Sequence, residues 1–338
     1  MIRVAVVGVN NIGKIHCRFY ARHEETQLVA VCDLMEERAR EAAAAFSVPA
    51  YTDLGHMLER EEIDLVCVAT GGEEKGSHHY APAMLAIEAG KDVLVEKPLS
   101  NRLDEAREMV AAARAQGVRL ACNLNHRFTP AAARAKALLD AGKLGEPLFL
   151  NMRLTIKNGS DATEWFHMRA LHPHSIDVMR YFFGEIRTVQ AFMTKAPGRS
   201  SWSTASVNVQ FASGAVGHLT GSYDMSMRHP IEWCEAAGTE GRFVIENVYE
   251  SLTYYPHQSD ELLVVRNPIF QGMQGFDDTF NRRLEHLIGQ IRQGVPADRI
   301  DASGEDALAA QEVIEAAIAS HQSGGIPVAL QPAGRSSS

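Results

Sequence analysis

The sequence predicts an α/β protein whose N-terminal part is a doubly wound parallel sheet. Two observations predict it. Short apolar runs alternate with stretches of helical periodicity over the first 121 residues, and the first run ends in a glycine-containing turn that opens directly into a helix. RVAVVGV is apolar throughout, as strands covered on both faces are. NNIGKIHCRFYAR follows, with Ile12, Ile15 and Phe19 on one helical face. LVAVCD, residues 28–33, is a second strand, and MEERAREAAAAF, 35–46, is rich in helix formers. After the amphipathic LGHMLER comes the strand DLVCVAT, 64–70, then HHYAPAMLAIEAG, whose helix ends at Gly90 as its C-cap. KDVLV, 91–95, then LDEAREMVAAARAQG and VRLACNLN continue the pattern as strand, helix and strand.

The 338 residues exceed what one core usually organises, so two domains are expected. The predicted division is 1–121, 122–330, and a disordered tail over 331–338. A net charge of −9 argues against a generic nucleic-acid or anionic-membrane surface. No apolar run approaches ~18–20 residues, so no membrane span is expected. The N-terminus opens at once into a strand and lacks the regions of a signal peptide. The five cysteines are scattered, with no CxxC; buried thiols and a reducing, cytoplasmic setting fit them.

The first turn, GVNNIG, departs from the dinucleotide fingerprint G-x-G-x-x-G at one position. Gly8 makes the tight turn and Gly13 lets helix and strand approach, while Asn10 replaces the middle glycine. Asparagine tolerates left-handed backbone, and its amide can hydrogen-bond. With Asn11 and Ile12, these residues open a helix whose N-terminus can take a pyrophosphate. The competing reading is a tight turn without a ligand. Asp33 follows Gly13 by twenty residues at the end of the second strand, where a carboxylate can bond ribose hydroxyls and would repel a 2′-phosphate. NAD is therefore favoured over NADP, although Arg38 is near in sequence. A capping role for Asp33 is compatible with this.

Glu96-Lys97-Pro98 follows KDVLV, at a strand end where open α/β sheets bind ligands. A lysine held between an acid and a proline packs poorly but suits chemistry on a hydroxyl or carbonyl. Solvated surface is the plainer alternative.

Taken together, these residues resemble the glucose–fructose oxidoreductase, inositol dehydrogenase and MocA family. The resemblance rests on the near-fingerprint, AIEAGKDVLVEKPLS, NLNHRFTP, HSIDVMRYFFG, VNVQFASGAVGHL, AAGTEGRFVIE and the C-terminal DASGEDALAAQEVIEAAIASHQSGG, and covers nearly the whole chain. It implies a second α/β domain with a large, mostly antiparallel sheet. SVNVQF, AVGHLTGS and RFVIENV support this independently by their strand character. It also implies a homodimer or homotetramer.

The family usually moves a hydride between nicotinamide and a sugar or polyol carbon. By resemblance, Lys97 lies beside the substrate hydroxyl and His174 is its usual partner; histidine suits proton transfer near neutral pH. A cis Lys97–Pro98 bond is implied too. Glu96 orients Lys97 or meets the nicotinamide end, and Thr70 joins the cofactor set. His79 has two readings, a place near the nicotinamide or the start of a helix. Asp177, on the same helical face as His174, contacts substrate, orients His174 or caps and pairs structurally. Asn123 and Asn125 sit at a strand end, facing substrate or loop backbone. Arg127 binds an acidic group or makes an interdomain salt bridge.

Many relatives carry Asp four residues before the histidine, after a glycine pair. Here Ala170 stands there and the glycine pair is absent, leaving His167, His172 or Lys97 and His174 alone for the chemistry. The HPH pattern lacks a convincing ligand set, so no metal is expected. GGEEKGSHH, 71–79, is longer than the resemblance leads one to expect and reads as a mobile lip. The leading expectation is an NAD-dependent dehydrogenase of a sugar, inositol or polyol. The alternatives are a redox glycosidase or isomerase, and a non-enzymatic sugar or dinucleotide sensor.

Overall fold

A computed structural model describes residues 1–331; most of the expected tail, from residue 332 on, lies outside the described residues. The chain divides into two compact units. One comprises Met1–Leu124 and Phe276–Leu308; the other comprises Asn125–Gly275 and the residues from Ala309 onward.

The first unit runs β1 (Ile2–Val7), α1 (Asn11–Tyr20), β2 (Thr26–Cys32), α2 (Glu36–Phe46), β3 (Ala50–Tyr51), α3 (Leu54–Arg60), β4 (Leu65–Val68), α4 (Tyr80–Glu88), β5 (Asp92–Val95), α5 (Leu103–Gln116) and β6 (Leu120–Cys122). Its strands pair in parallel in the order β3-β2-β1-β4-β5-β6. The order reverses between β1 and β4, so loops after the strands diverge there and leave a crevice of the kind that binds ligands. The apolar runs are buried on both faces: Val4, Val6, Val66 and Cys67 are fully inaccessible. Gly90 follows α4 in left-handed backbone (φ 69°) and donates its N–H to Ile87 O, as a C-terminal cap should.

Ile12, Ile15 and Phe19 share a half-buried flank of α1, while the innermost face of that helix is Gly13, His16, Cys17 and Tyr20. The cause is Gly13: a Cβ there would stand 1.9 Å from Gly8 O, so the glycine side of the helix lies against β1 and carries its neighbours inward.

The second unit begins with a 3-10 turn, Asn125–Phe128, then α6 (Pro130–Asp140), β7 (Pro147–Thr155), α7 (Phe166–Phe183), β8 (Ile186–Thr194), β9 (Thr204–Phe211), β10 (Val216–Ser222), β11 (Glu232–Gly238), β12 (Gly241–Glu246), β13 (Ser251–Pro256) and β14 (Leu263–Arg266). After α8 (Asp277–Arg292) come α9 (Gly304–Gln322) and β15 (Val328–Ala329). The nine-stranded sheet has the order β14-β13-β12-β11-β7-β10-β9-β8-β15, and only β7 with β10 is parallel. Residues of alternate parity, such as Leu150, Met152 and Leu154, enter the core with Val207, Leu219 and Phe243. Helix α7 covers this face.

Two differences from the sequence reading concern helices. The segment 122–330 is not one domain, because α8 belongs to the first unit: Leu284, Leu287 and Ile288 pack in one cluster with Val4, Leu28 and Leu94. Helix α7 starts eight residues before His174 and continues through Pro173, which has no N–H to donate. Burial of nearly every residue from Phe166 to Phe183 outweighs that lost bond.

Candidate active site

Each unit holds a cluster of polar side chains that the sequence singled out. In the first, Gly8 has φ +84°, and a Cβ on it would meet Thr70 Cα at 2.7 Å, so the turn after β1 is packed backbone against backbone beside β4. Asn10 is the N-cap of α1, with φ −80° and ψ −162°. It is extended, so its tolerance of left-handed backbone is not what fits it here. Its side chain makes no capping bond, and Asn10 and Asn11 are exposed. The first N–H groups of α1 are thus left without a side-chain acceptor, as a helix that takes a phosphate requires.

Asp33 is buried, and its carboxylate already accepts two backbone N–H groups, Val9 at 3.0 Å and Met35 at 2.9 Å. It ties the glycine turn to the end of β2. A carboxylate has about four acceptor sites, so capacity for ribose hydroxyls remains. The residues present fit a dinucleotide.

At the end of β5, the Lys97–Pro98 bond is cis. Glu96 Oε1 accepts from His16 Nε2 at 2.8 Å and from Asn123 Nδ2 at 2.6 Å. Burial pushes the Glu96 carboxyl up, but His16, Asn123 and Lys97 together outweigh it and hold the group below its usual range. His16 escaped the sequence reading, although its spacing from Gly13 and Tyr20 places it on the inward face. Lys97 is partly exposed at its surface, yet burial among protein atoms, with Lys75 as a second cause, lowers its ammonium to about 7. Glu96 opposes that shift.

His79 is buried just before α4, its Nδ1 2.7 Å from Pro98 O and its Nε2 3.0 Å from Thr70 O. It sits between the end of β4 and the turn after β5 with a carbonyl oxygen at each ring nitrogen; burial lowers its affinity for a second proton, and a neutral ring has one N–H to donate to them. The stretch 71–79 is no free-standing lip. Glu74 is buried and accepts from Asn101 Nδ2 at 3.0 Å, and a Cβ on Gly76 would come within 2.9 Å of Pro98 Cγ and Asn101 N.

In the second unit, α7 presents His174 and Asp177 on one side, one turn apart. Asp177 is gripped by Arg127: Nε donates to Oδ2 at 2.7 Å and the guanidinium makes a second bond to Oδ1. Both partners are buried, and Arg127 also lies over the Tyr181 ring at 5.2 Å. The salt bridge is thus internal to the second unit rather than interdomain, and Arg127 is a committed cation. His174 is stacked on His126 with ring centroids 4.2 Å apart and planes 12° from parallel. His126 Nδ1 donates to Glu232 Oε2 at 2.7 Å. Asn125, beside His126 in the same 3-10 turn, is buried. Neither His126 nor Glu232 was singled out from the sequence; Glu232 offered no signal beyond a charge at a strand start.

His167 and His172 turn the other way. Their Nε2 atoms are 3.0 Å apart, His172 Nδ1 is 3.1 Å from Ser175 Oγ, and a Cβ on Gly221 of β10 would strike His172 Nε2 at 1.9 Å. Burial lowers His167 to about 3. Both rings are fully buried in a contact with the sheet, so neither stands in for a carboxylate beside His174. Ala170 packs with Leu154, Phe166, Leu171 and Tyr223. Among the described residues, no three His, Cys, Asp or Glu side chains form a group that could hold a metal. No described helix is long and apolar enough to cross a membrane.

A strand order of 3-2-1-4-5-6, a glycine turn at the head of α1 and an acid closing β2 define a dinucleotide-binding protein. Residues 2–124 match the oxidoreductase family with an NAD-binding Rossmann fold, and residues 132–244 match the GFO/IDH/MocA C-terminal domain. The chain belongs to the Gfo/Idh/MocA family and is an NAD-dependent enzyme. It is similar to the scyllo-inositol 2-dehydrogenase (NAD(+)) of Bacillus subtilis strain 168, 28% identical over 310 residues and 87% of each chain. It also resembles the myo-inositol 2-dehydrogenase of Thermotoga maritima, 26% identical over 90% of this chain and 92% of that one. In fold it matches an NAD-binding oxidoreductase from Klebsiella pneumoniae (TM-score 0.87, 24% identical, 98% and 99% of the chains covered). A levoglucosan dehydrogenase complexed with NADH and levoglucosan matches equally well (0.87, 22% identical, 98% and 99% covered).

Proposed function

We propose that the enzyme transfers a hydride between NAD(H) and a CH–OH carbon of a sugar, inositol or related polyol. One observation carries this reading: a lysine at the end of β5, in the family's Glu-Lys-Pro setting, is brought to about 7 by burial. A group half-protonated near neutral pH can hold or release the hydroxyl proton as the carbon is oxidised or reduced. NAD, when bound, supplies the hydride acceptor. Gly8, Asn10, Asn11, Ile12 and Gly13 offer it backbone at the head of α1, Asp33 offers a carboxylate to its ribose, and Thr70, His79 and Glu96 shape the strand ends beside it. His174 assists proton transfer, while Asn125, Arg127 and Asp177 shape the substrate side, the last two as a fixed ion pair. The sugar-like substrates of the related dehydrogenases support the class, not a particular compound.

The test is turnover of a polyol panel with NAD, using the wild type and Lys97→Ala. Net NADH formation, lost about 10²–10⁴-fold in the variant with NAD affinity within a few-fold, is the expected result. Equal loss of turnover and NAD affinity would remove Lys97 from the chemistry. Glycoside cleavage without net NADH would replace the dehydrogenase reading by the redox glycosidase. A homo-oligomer joined through the outer face of the large sheet is part of the proposal, supported by Phe192 and Val216, which are 53% and 54% exposed there. A monomer in sedimentation equilibrium would remove it.

A further inference from the structure

Position 170 holds an alanine in an apolar cluster, and the two other histidines of α7 are spent on the sheet. Two carboxylates are tied to the surroundings of His174 through the bonds described above, Asp177 and Glu232. Asp177, on α7 itself, is matched by the Arg127 guanidinium in a bidentate pair, so those two charges cancel. Glu232 arrives from β11, is buried, and meets a histidine rather than an arginine. Its partner ring lies flat against His174 at 4.2 Å. Charged and titratable groups described around His174 within the second unit include His126 and Arg127 from the 3-10 turn, Asp177 from α7 and Glu232 from β11.

We propose that Glu232 and His126 are positioning residues for His174. The Glu232 carboxylate locks the His126 ring through Nδ1, the locked ring sets the plane of His174 by stacking, and the carboxylate behind it helps His174 hold its proton. The inference rests on the reading of His174 as the proton-handling partner in the reaction. Bonded to Glu232 through Nδ1, the His126 ring is held in one orientation and transmits it to the stacked His174 ring. The arrangement supplies from β11 and the 3-10 turn what a carboxylate at position 170 would have supplied from α7. A buried carboxylate within two ring contacts acts strongly, because the protein interior screens charge poorly.

The deciding measurement is the titration of the His174 ring by nitrogen NMR in full-length protein labelled at histidine. Glu232→Gln keeps an oxygen to accept from His126 Nδ1 and removes only the charge. It is expected to lower the His174 midpoint by about one unit. Glu232→Asp, which retains the charge, is expected to leave the midpoint near its original place. An unmoved midpoint in Glu232→Gln overturns the proposal. So does an equal drop in Glu232→Asp, which a merely structural role would produce. Should Glu232→Gln fail to fold, His126→Phe keeps a flat ring against His174 without the lock. It is expected to lower kcat about tenfold with KM for NAD unchanged, and an unchanged kcat counts against the proposal. The two readings fail separately: normal turnover in His174→Asn would sink the role of His174 in the reaction, while the NMR midpoint would still decide the pairing.

Discussion

The two units hold their charges by opposite means. In the first, Glu96 and Lys97 are chain neighbours at one strand end, and Glu96 is steadied by His16 of α1 and Asn123 after β6. In the second, buried polar groups come as closed pairs assembled across long stretches of chain, Arg127 with Asp177 and His126 with Glu232, the latter 106 residues apart. A strand-end cluster leaves a cation poised near neutrality. Closed pairs fix geometry and leave less to titrate.

The largest effect should come from opening a closed pair. Asp177→Asn leaves Arg127 buried without its counter-charge and should cost about 3–5 kcal/mol in denaturant unfolding. A loss below ~1 kcal/mol would make the pair no different from surface ion pairs and break the contrast. Next is the packed turn of the first unit. Gly13→Ala puts a methyl 1.9 Å from Gly8 O and should cost about 1–3 kcal/mol by overpacking, with NAD affinity weakened about tenfold. Wild-type stability and affinity in this variant would show that the turn can yield.

The pH response then separates the units further. His167 is lowered by burial to about 3, below its usual ~6.5, so the folded state binds fewer protons than the unfolded between those values. Its stability contribution is whole above ~6.5 and is lost as pH falls towards 3; His167→Leu should flatten that slope in melts taken across the range. Lys97 obeys the same sign in a higher window. Its contribution is whole above ~10.4 and is lost as pH falls towards about 7. The smallest effect is expected from Glu96→Gln. Glu96 favours the charged lysine, so the pH–rate midpoint belonging to Lys97 should move downwards, and an upward move would refute the assigned coupling.

Most of the first unit was legible because buried parallel strands are uniformly apolar and their ends are marked by Gly8, Asp33 and the Glu-Lys-Pro turn. The innermost face of α1 was not legible from hydrophobicity, which marks Ile12, Ile15 and Phe19, because contact geometry at Gly13 decides it. Lys97 was legible for its unusual place at a strand end. Glu232 was not: an acid at the head of a β-strand looks like solvated surface until His126 is brought against it. The first turns of α7, before HSIDVMRYFFG, were not legible, because a helix carried through Pro173 depends on burial that the sequence does not display. Helix α8 could not be assigned to its unit because amphipathicity says that a face is buried, not against what.

That last feature has a bearing on biosynthesis. The ribosome delivers residues 1–124 long before Leu284, Leu287 and Ile288 exist, so the emerging sheet lacks part of its apolar cover while the intervening 151 residues are made. A nascent Rossmann half with an open flank invites chaperone binding or premature association. A recombinant fragment ending at Leu124 inherits the same bare surface permanently; joining 276–308 back to it through a short linker is the way to obtain that half as a soluble, separately folding piece.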